Sequence, residues 1–275
     1  MATPLPYGQA RFSYIGELGS GGLGRVRKVK IIETNDPGKP LHSEWACKQL
    51  NESWADHPTM QERFNREINA LKRMSHTNIV SFEGENVNPG RFYLMHLYTD
   101  TVRKFIAGGN KVGDWRFIAG LGAVLADAMA YAHDLGFTHR DLKPDNILFN
   151  GGGPLVIADW GLGYFIHKHS KVLQQLTRGG MGTEYYCSLE QWSTGKCDGR
   201  GDIYSLGMTL DEMVTGAQRS IVVGMGLNGP ATAETSAGAK RFNSLLLSMT
   251  RFLPDYRPAT MREIATELRA AVAAG

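Results

Sequence analysis

Strand-like alternation of apolar and polar positions falls mostly within the first hundred residues, and longer helical spacings mostly beyond them. Residues 12–15 and 25–32 have the β-branched, alternating character of strands, joined by a glycine-rich turn. Residues 33–42, with Asn35, Asp36, Pro37, Gly38 and Pro40, read as a loop, and Glu44–Leu50 as a third strand. A helix should follow, opened by Thr59 and Glu62 as a capping box and carrying Phe64, Ile68 and Leu71 on one face. Residues 92–97 are apolar enough for a buried strand. From Asp114 the stripe Phe117, Leu121, Leu125, Ala128 and Ala132 predicts a core helix of a second lobe. Two short strands, 146–149 and 155–157, are expected around the turn at Gly151 to Gly153, then a loop-rich stretch over 161–182. Helical spacing returns over 202–214 and near the C-terminus; residues 224–238 read as a loop, and the Ala-rich end as a helix that frays. Strands first and helices later predict an α+β fold with two segregated lobes, dividing near residues 98–102. No internal repeat is visible.

Composition narrows the class of protein. The 275 residues can bury a sizeable core, and 42% hydrophobic against 21% charged is a globular balance. A net charge of +3, without a long Lys/Arg run, argues against a nucleic-acid partner. No stretch of about 18 apolar residues suggests a membrane span. Residues 1–11 lack the basic-then-apolar order of a signal peptide, so the cytoplasm is the expected location. Cys47, Cys187 and Cys197 are too few and too far apart for a disulfide scaffold or a metal knuckle.

Three patterns carry chemistry. Gly19-Ser20-Gly21-Gly22-Leu23-Gly24 lets backbone N–H groups approach phosphates and is expected to supply a positive-φ turn. A dinucleotide fold needs a helix directly afterwards, whereas Val26, Val29 and Ile31 continue as strand, and the Gly-Lys-Ser/Thr of a Walker A loop is absent. Lys48 follows Trp45 and Ala46 and should point into a cleft, where an ammonium needs an acidic partner; Glu67, mid-helix, is the candidate. The most specific pattern is His139-Arg140-Asp141-Leu142-Lys143-Pro144-Asp145-Asn146, between a buried helix and a strand. Its carboxylate can orient and deprotonate a hydroxyl, its lysine can neutralise a neighbouring anion, and its asparagine offers a neutral oxygen.

With this octapeptide the sequence resembles the eukaryotic-type protein kinase family, and Lys143 with Pro144 resembles its serine/threonine subset. The resemblance runs from about Phe12 to Leu268. It implies a bilobal fold: a small antiparallel β-sheet lobe with one helix (about 12–98) and a larger, mainly α-helical lobe (about 99–268). Residues 1–11 would be an extension and 269–275 a tail. Asp159-Trp160-Gly161 resembles the family's D-F-G, with Trp for the usual Phe; Ser188-Leu189-Glu190 stands where A-P-E is usual. Leu71, His139 and Trp160 resemble parts of the column packed through the fold; Arg257 looks like the partner of Glu190, and Asp202 like the residue that holds the catalytic loop.

The resemblance also implies ATP and Mg²⁺ as cofactors and proteins as substrates, the chain itself among them. Asp141 would accept the hydroxyl proton and Lys143 stabilise the developing charge, while Asn146 and Asp159 ligate Mg²⁺. The glycine loop, with Leu18, Gly19, Gly21, Gly24 and Val26, would cover ATP; Lys48, set by Glu67, would hold the α and β phosphates. The adenine would stack between Val26 and Ala46 on one side and Leu148 on the other, beside Met95 and the backbone around Leu97. Phosphorylation of Ser170 or Thr177, among the basic residues of 167–178, would order the activation segment, and Thr183 would contact Asp141 and Lys143. Three other readings exist. A pseudokinase scaffold usually lacks one of the lysine and the two aspartates, all present here as Lys48, Asp141 and Asp159. A small-molecule kinase of the same fold is disfavoured by Lys143-Pro144 and residues 182–190, and a tyrosine kinase by Lys143, although Tyr185 and Tyr186 could accept phosphate.

Overall fold

A computed structural model describes residues 9–86, 91–109, 112–160, 184–195, 197–219 and 225–275. Contacts divide the chain into two units, residues 1–73 with 81–98, and residues 74–80 with 99–275. The expected activation-segment residues Ser170, Thr177 and Thr183, with Gly161, lie outside the described residues.

The first unit is an antiparallel sheet with one helix. Strands β1 (Ala10–Ser20), β2 (Gly24–Thr34), β3 (Glu44–Leu50), β4 (Gly84–Asn86) and β5 (Phe92–Met95) are ordered β1-β2-β3-β5-β4. β1 and β2 outrun their alternating segments, because pairing extends from Ala10↔Thr34 to Ser20↔Arg25 through three register shifts. Backbone hydrogen bonds carry the ladder where side chains give no signal. Val29, Ile31, Trp45, Cys47 and Leu94 form the core, with Phe12 and Phe92 against it. Burial pushes the Cys47 thiol up to about 12, in keeping with a packing role. Helix α1 spans Pro58–Arg73 and buries Met60, Phe64, Glu67, Ile68 and Leu71. The expected capping box is not formed: Thr59 lies inside the first turn, and the N–H groups of Met60 and Gln61 reach the His57 carbonyl (3.0 and 3.1 Å). Pro58 opens the helix, where its missing N–H and fixed φ are tolerated.

The second unit is mainly helical. Strands β6 (Asp100–Thr101), β7 (Ile147–Phe149) and β8 (Val156–Ile157) pair in that order. The helices are α2 (Val102–Ala107), α3 (Trp115–Asp134), α4 (Leu189–Thr194), α5 (Gly199–Thr215), α6 (Ala237–Met249) and α7 (Met261–Ala273). Residues 74–80 join this unit by β-type bonds, Ile157 N–H to the Asn78 carbonyl (2.9 Å) and Val80 N–H to the Ile157 carbonyl (3.0 Å). Asp114 caps α3 by accepting from the Phe117 N–H (3.1 Å). The expected stripe on α3 is corrected at one end, since Phe117 is 40% exposed while Ile118, Ala119, Ala126 and Met129 are buried. α3 is covered on more than one side, by α5, α6 and α7, so a single stripe under-reads it. α5 is buried from Gly201 to Val214 and runs through the middle of the unit. α7 continues to Ala273, into the expected tail. Among the described residues no helix is long and apolar enough to cross a membrane.

Candidate active site

In the first unit β3 is a central strand, and the register sets Lys48 opposite Val26 on one side and Tyr93 on the other. The Lys48 Nζ lies 2.7 Å from Glu67 Oε1, and the Tyr93 hydroxyl donates to the same oxygen at 2.8 Å. Lys48 is 6% exposed and Glu67 fully buried, a setting in which an ion pair needs further hydrogen bonds to offset desolvation. Glu67 sits on the apolar face of α1 with Phe64, Ile68 and Leu71; a carboxylate at that spacing is itself a sign of a buried partner. Tyr93 carried no such sign.

The glycine turn joins β1 to β2, closed by the Gly21 N–H on the Gly24 carbonyl (2.8 Å). The expected positive-φ turn is not found, since Gly19, Gly21 and Gly24 all lie outside the left-handed region. At Gly24 the requirement is close approach instead: a Cβ there would stand 2.4 Å from the Gln49 carbonyl oxygen. Of the expected nucleotide contacts in this unit, Leu18 is exposed on β1, Val26 half-buried, Ala46 and Met95 buried, and Leu97 half-buried. His96 stacks on Trp45 and lies 3.2 Å from Glu83.

In the second unit the loop 138–146 is held from behind by α5. Asp202 Oδ2 accepts the His139 N–H (2.9 Å) and Oδ1 the Arg140 N–H (2.6 Å). His133 Nε2, from α3, stands 2.8 Å from Asp202 Oδ2. Burial would raise the Asp202 carboxyl, yet His133 and these N–H groups hold it below its ordinary value. Arg140 takes a left-handed backbone (φ 65°), and Gln191 Nε2 donates to its carbonyl at 2.6 Å. The His139 ring is buried; Nδ1 accepts from the Asp141 N–H (3.2 Å), which leaves Nε2 to donate to the Ala158 carbonyl (2.9 Å).

Asp141 is 6% exposed, with Lys143 Nζ at 3.1 and 2.9 Å from its two oxygens. Asn146 Nδ2 donates to the Asp141 carbonyl (2.7 Å) and to Oδ2 (2.9 Å). Burial pushes the Asp141 carboxyl up, Lys143 opposes the rise and the like charge of Asp159 adds to it. Asp159 also takes a left-handed backbone (φ 66°). Because the Asn146 amide nitrogen is turned onto Asp141, its carbonyl oxygen is the atom left to face a cation. That oxygen and the nearby Asp159 carboxylate are the hard donors Mg²⁺ takes, so these residues fit the ion the sequence implied. Trp160 packs edge-on against His139, centroids 4.8 Å apart, and its Nε1 donates to the Ile157 carbonyl (3.2 Å). A Phe would lack that hydrogen bond. Leu148 is half-buried on β7.

Two ionic clusters lie in the same unit, and the second reaches this loop at Asp145. Arg257 donates to both Glu190 oxygens (2.6 and 3.0 Å) and to the carbonyls of Arg251, Phe252 and Arg200, with its guanidinium 5.1 Å from the Tyr204 ring. Burial would raise the Glu190 carboxyl; Arg257 outweighs it and holds the carboxyl low. Leu189, in place of the usual proline, begins α4. Arg103 bridges Glu212 (2.5 Å), the Tyr186 hydroxyl (2.5 Å) and Asp145 (3.2 Å). The hydroxyl of Tyr186 bonds Glu212 as well, and that of Tyr185 accepts the Arg219 N–H (3.2 Å), so both tyrosines are buried and engaged. The Arg103 cluster and His133 were not foreseen, since Glu212 lies 109 residues from Arg103 and Asp202 lies 69 from His133.

The chain is similar to longer proteins. The chain is 31% identical over 211 residues to serine/threonine-protein kinase Pkn1 of Myxococcus xanthus, covering 74% of this chain and 29% of that protein. It is 30% identical over 222 residues to serine/threonine-protein kinase PknB of Mycobacterium leprae, 78% of this chain and 34% of that one. With serine/threonine-protein kinase PrkC of Bacillus subtilis identity is 26% over 274 residues, 95% of this chain and 40% of that one. The chain thus spans about a third of the length of these curated relatives. The family described as protein kinase domain matches residues 12–221, from β1 to past the end of α5. A paired lysine on β3, an Asp141 flanked by Lys143 and Asn146, and a match over that span agree: the chain belongs to the protein kinase domain family.

Proposed function

We propose that this chain transfers the γ-phosphoryl of ATP to serine or threonine hydroxyls of proteins, itself among them. The observation that carries the reading is the Asp141 carboxylate, buried and fixed by Lys143 and Asn146 on a loop that Asp202 anchors from below. Asp141 orients the acceptor hydroxyl and takes its proton as the new O–P bond forms and the bond to the β-phosphate oxygen breaks. Lys143, within reach of the same carboxylate, stabilises charge on the moving phosphoryl. In the first unit Lys48 holds the α and β phosphates, kept in place by Glu67, and the glycine turn with Val26 and Ala46 receives the nucleotide. Asn146 and Asp159 would hold magnesium, which supplies the divalent charge that neutralises the phosphates. Lys143 and the relatives' names support serine and threonine over tyrosine as acceptors.

The test is transfer from γ-labelled ATP with Mg²⁺, to the chain itself and to a generic basic protein. Asp141→Asn and Asp159→Asn should each lower labelling by about 10²-fold to 10⁴-fold, with phosphoserine or phosphothreonine in the wild-type hydrolysate. Labelling that persists in both variants, or none in the wild type, overturns the reading.

A further inference from the structure

The segment after β3 reaches back to the glycine turn of the same unit. Asn51 donates its backbone N–H to the Leu23 carbonyl (3.1 Å) and its side-chain Nδ2 to the carbonyls of Gly21 (3.0 Å) and Gly22 (3.2 Å). The Trp54 indole, on the short 3-10 turn Glu52–Trp54, donates Nε1 to the same Gly22 carbonyl at 2.7 Å. His57 stands edge-on to the indole, centroids 5.6 Å apart. Three successive carbonyls are therefore held on one side by residues 51–54. In a planar trans peptide the N–H of the next residue points opposite to the carbonyl. Fixing the carbonyls of Gly21, Gly22 and Leu23 aims the N–H groups of Gly22, Leu23 and Gly24 to the other side. Successive N–H groups facing one way make a concavity for an anion. The close seating of Gly24 on the Gln49 carbonyl keeps the turn within reach of residues 51–54.

We propose that Asn51 and Trp54 are positioning residues for the phosphates of the nucleotide: they hold back the carbonyls of the glycine turn so that its N–H groups face the triphosphate. The proposal rests on the nucleotide reading above. Both residues act through the turn, and both must be donors because what they grip are carbonyls. Trp54→Phe keeps the ring and removes the donor; Asn51→Ala removes the amide.

The experiment titrates wild type, each single variant and the double variant with Mg·ATP and, separately, with adenosine, and measures KM for ATP and kcat for transfer to a basic protein. Each single variant should bind Mg·ATP about fivefold more weakly and the double about tenfold or more, with adenosine binding unchanged and the loss seen in KM more than in kcat. Equal binding of Mg·ATP by all four proteins overturns the proposal and leaves the nucleotide reading standing. So does a parallel loss of adenosine and Mg·ATP, which marks general damage to the sheet. Because Phe fills most of the indole's space, a misfolded Asn51→Ala leaves the Trp54→Phe arm decisive. Wild type that binds neither ligand overturns the nucleotide reading and this proposal together.

Discussion

Lys48 and Glu67 are each set among apolar neighbours, and the consequences of removing one differ from those of removing both. Lys48→Met leaves the Glu67 carboxylate buried without its ammonium, a loss of about 3 kcal/mol by the usual scale for breaking one half of a buried pair. Glu67→Gln in that background removes the stranded charge and should recover part of the loss, because the neutral amide can still accept from Tyr93. Urea denaturation of the four proteins of the cycle measures the coupling; additive losses would mean that the pair is not energetically linked. Lysine and glutamate were both legible in the sequence, as charges at positions that local spacing buries. Tyr93 was not, because an aromatic on an apolar strand announces burial and gives no hint of what its hydroxyl meets. The same limit hid His133 and Arg103, whose partners are fixed by helix packing rather than by chain neighbours.

Elements were read well where one periodicity ruled and poorly where two surfaces or a backbone ladder did. β3 was found at its observed bounds, whereas β1 and β2 run on through residues with no strand character, and α3 is buried beyond its one expected stripe. Glycines inside helices separate two physical cases that look alike in sequence. At Gly238, in the first turn of α6, a Cβ would stand 2.3 Å from the Ala271 carbonyl oxygen and 2.8 Å from the Trp115 ring. Gly238→Ala must push α7 or Trp115 aside and should destabilise by about 2 kcal/mol. At Gly120, in α3, no atom outside the helix's own neighbouring backbone lies within 4 Å of such a Cβ. Gly120→Ala should therefore stabilise, by about 0.5–1 kcal/mol, through helix propensity alone. Thermal melts of the two variants should move in opposite directions, and a shift of the same sign in both would contradict the contact of α6 with α7.

For the molecule as a whole, the order of elements and one octapeptide were enough for the fold class and family. Strands precede helices, and a solvated turn has no need of the basic, acidic and amide groups that residues 139–146 set side by side. The roles within that fold rest on charges that each unit has already arranged: an ammonium and a glycine turn in the first, and in the second a carboxylate beside two hard oxygen donors. A ligand that binds the native state and not the unfolded one raises stability by its mass action, about 2.7 kcal/mol at a hundred times its dissociation constant. ATP with Mg²⁺ should accordingly raise the melting temperature of the wild type, and chelating the magnesium should return most of the rise. Asp159→Asn exchanges an anionic donor for a neutral one, so its shift with ATP should be small and nearly the same with or without magnesium. Adenosine, which has no phosphate for Lys48 or a metal to meet, should shift both proteins alike. An Asp159→Asn protein that keeps the full magnesium-dependent shift would place the metal on other residues.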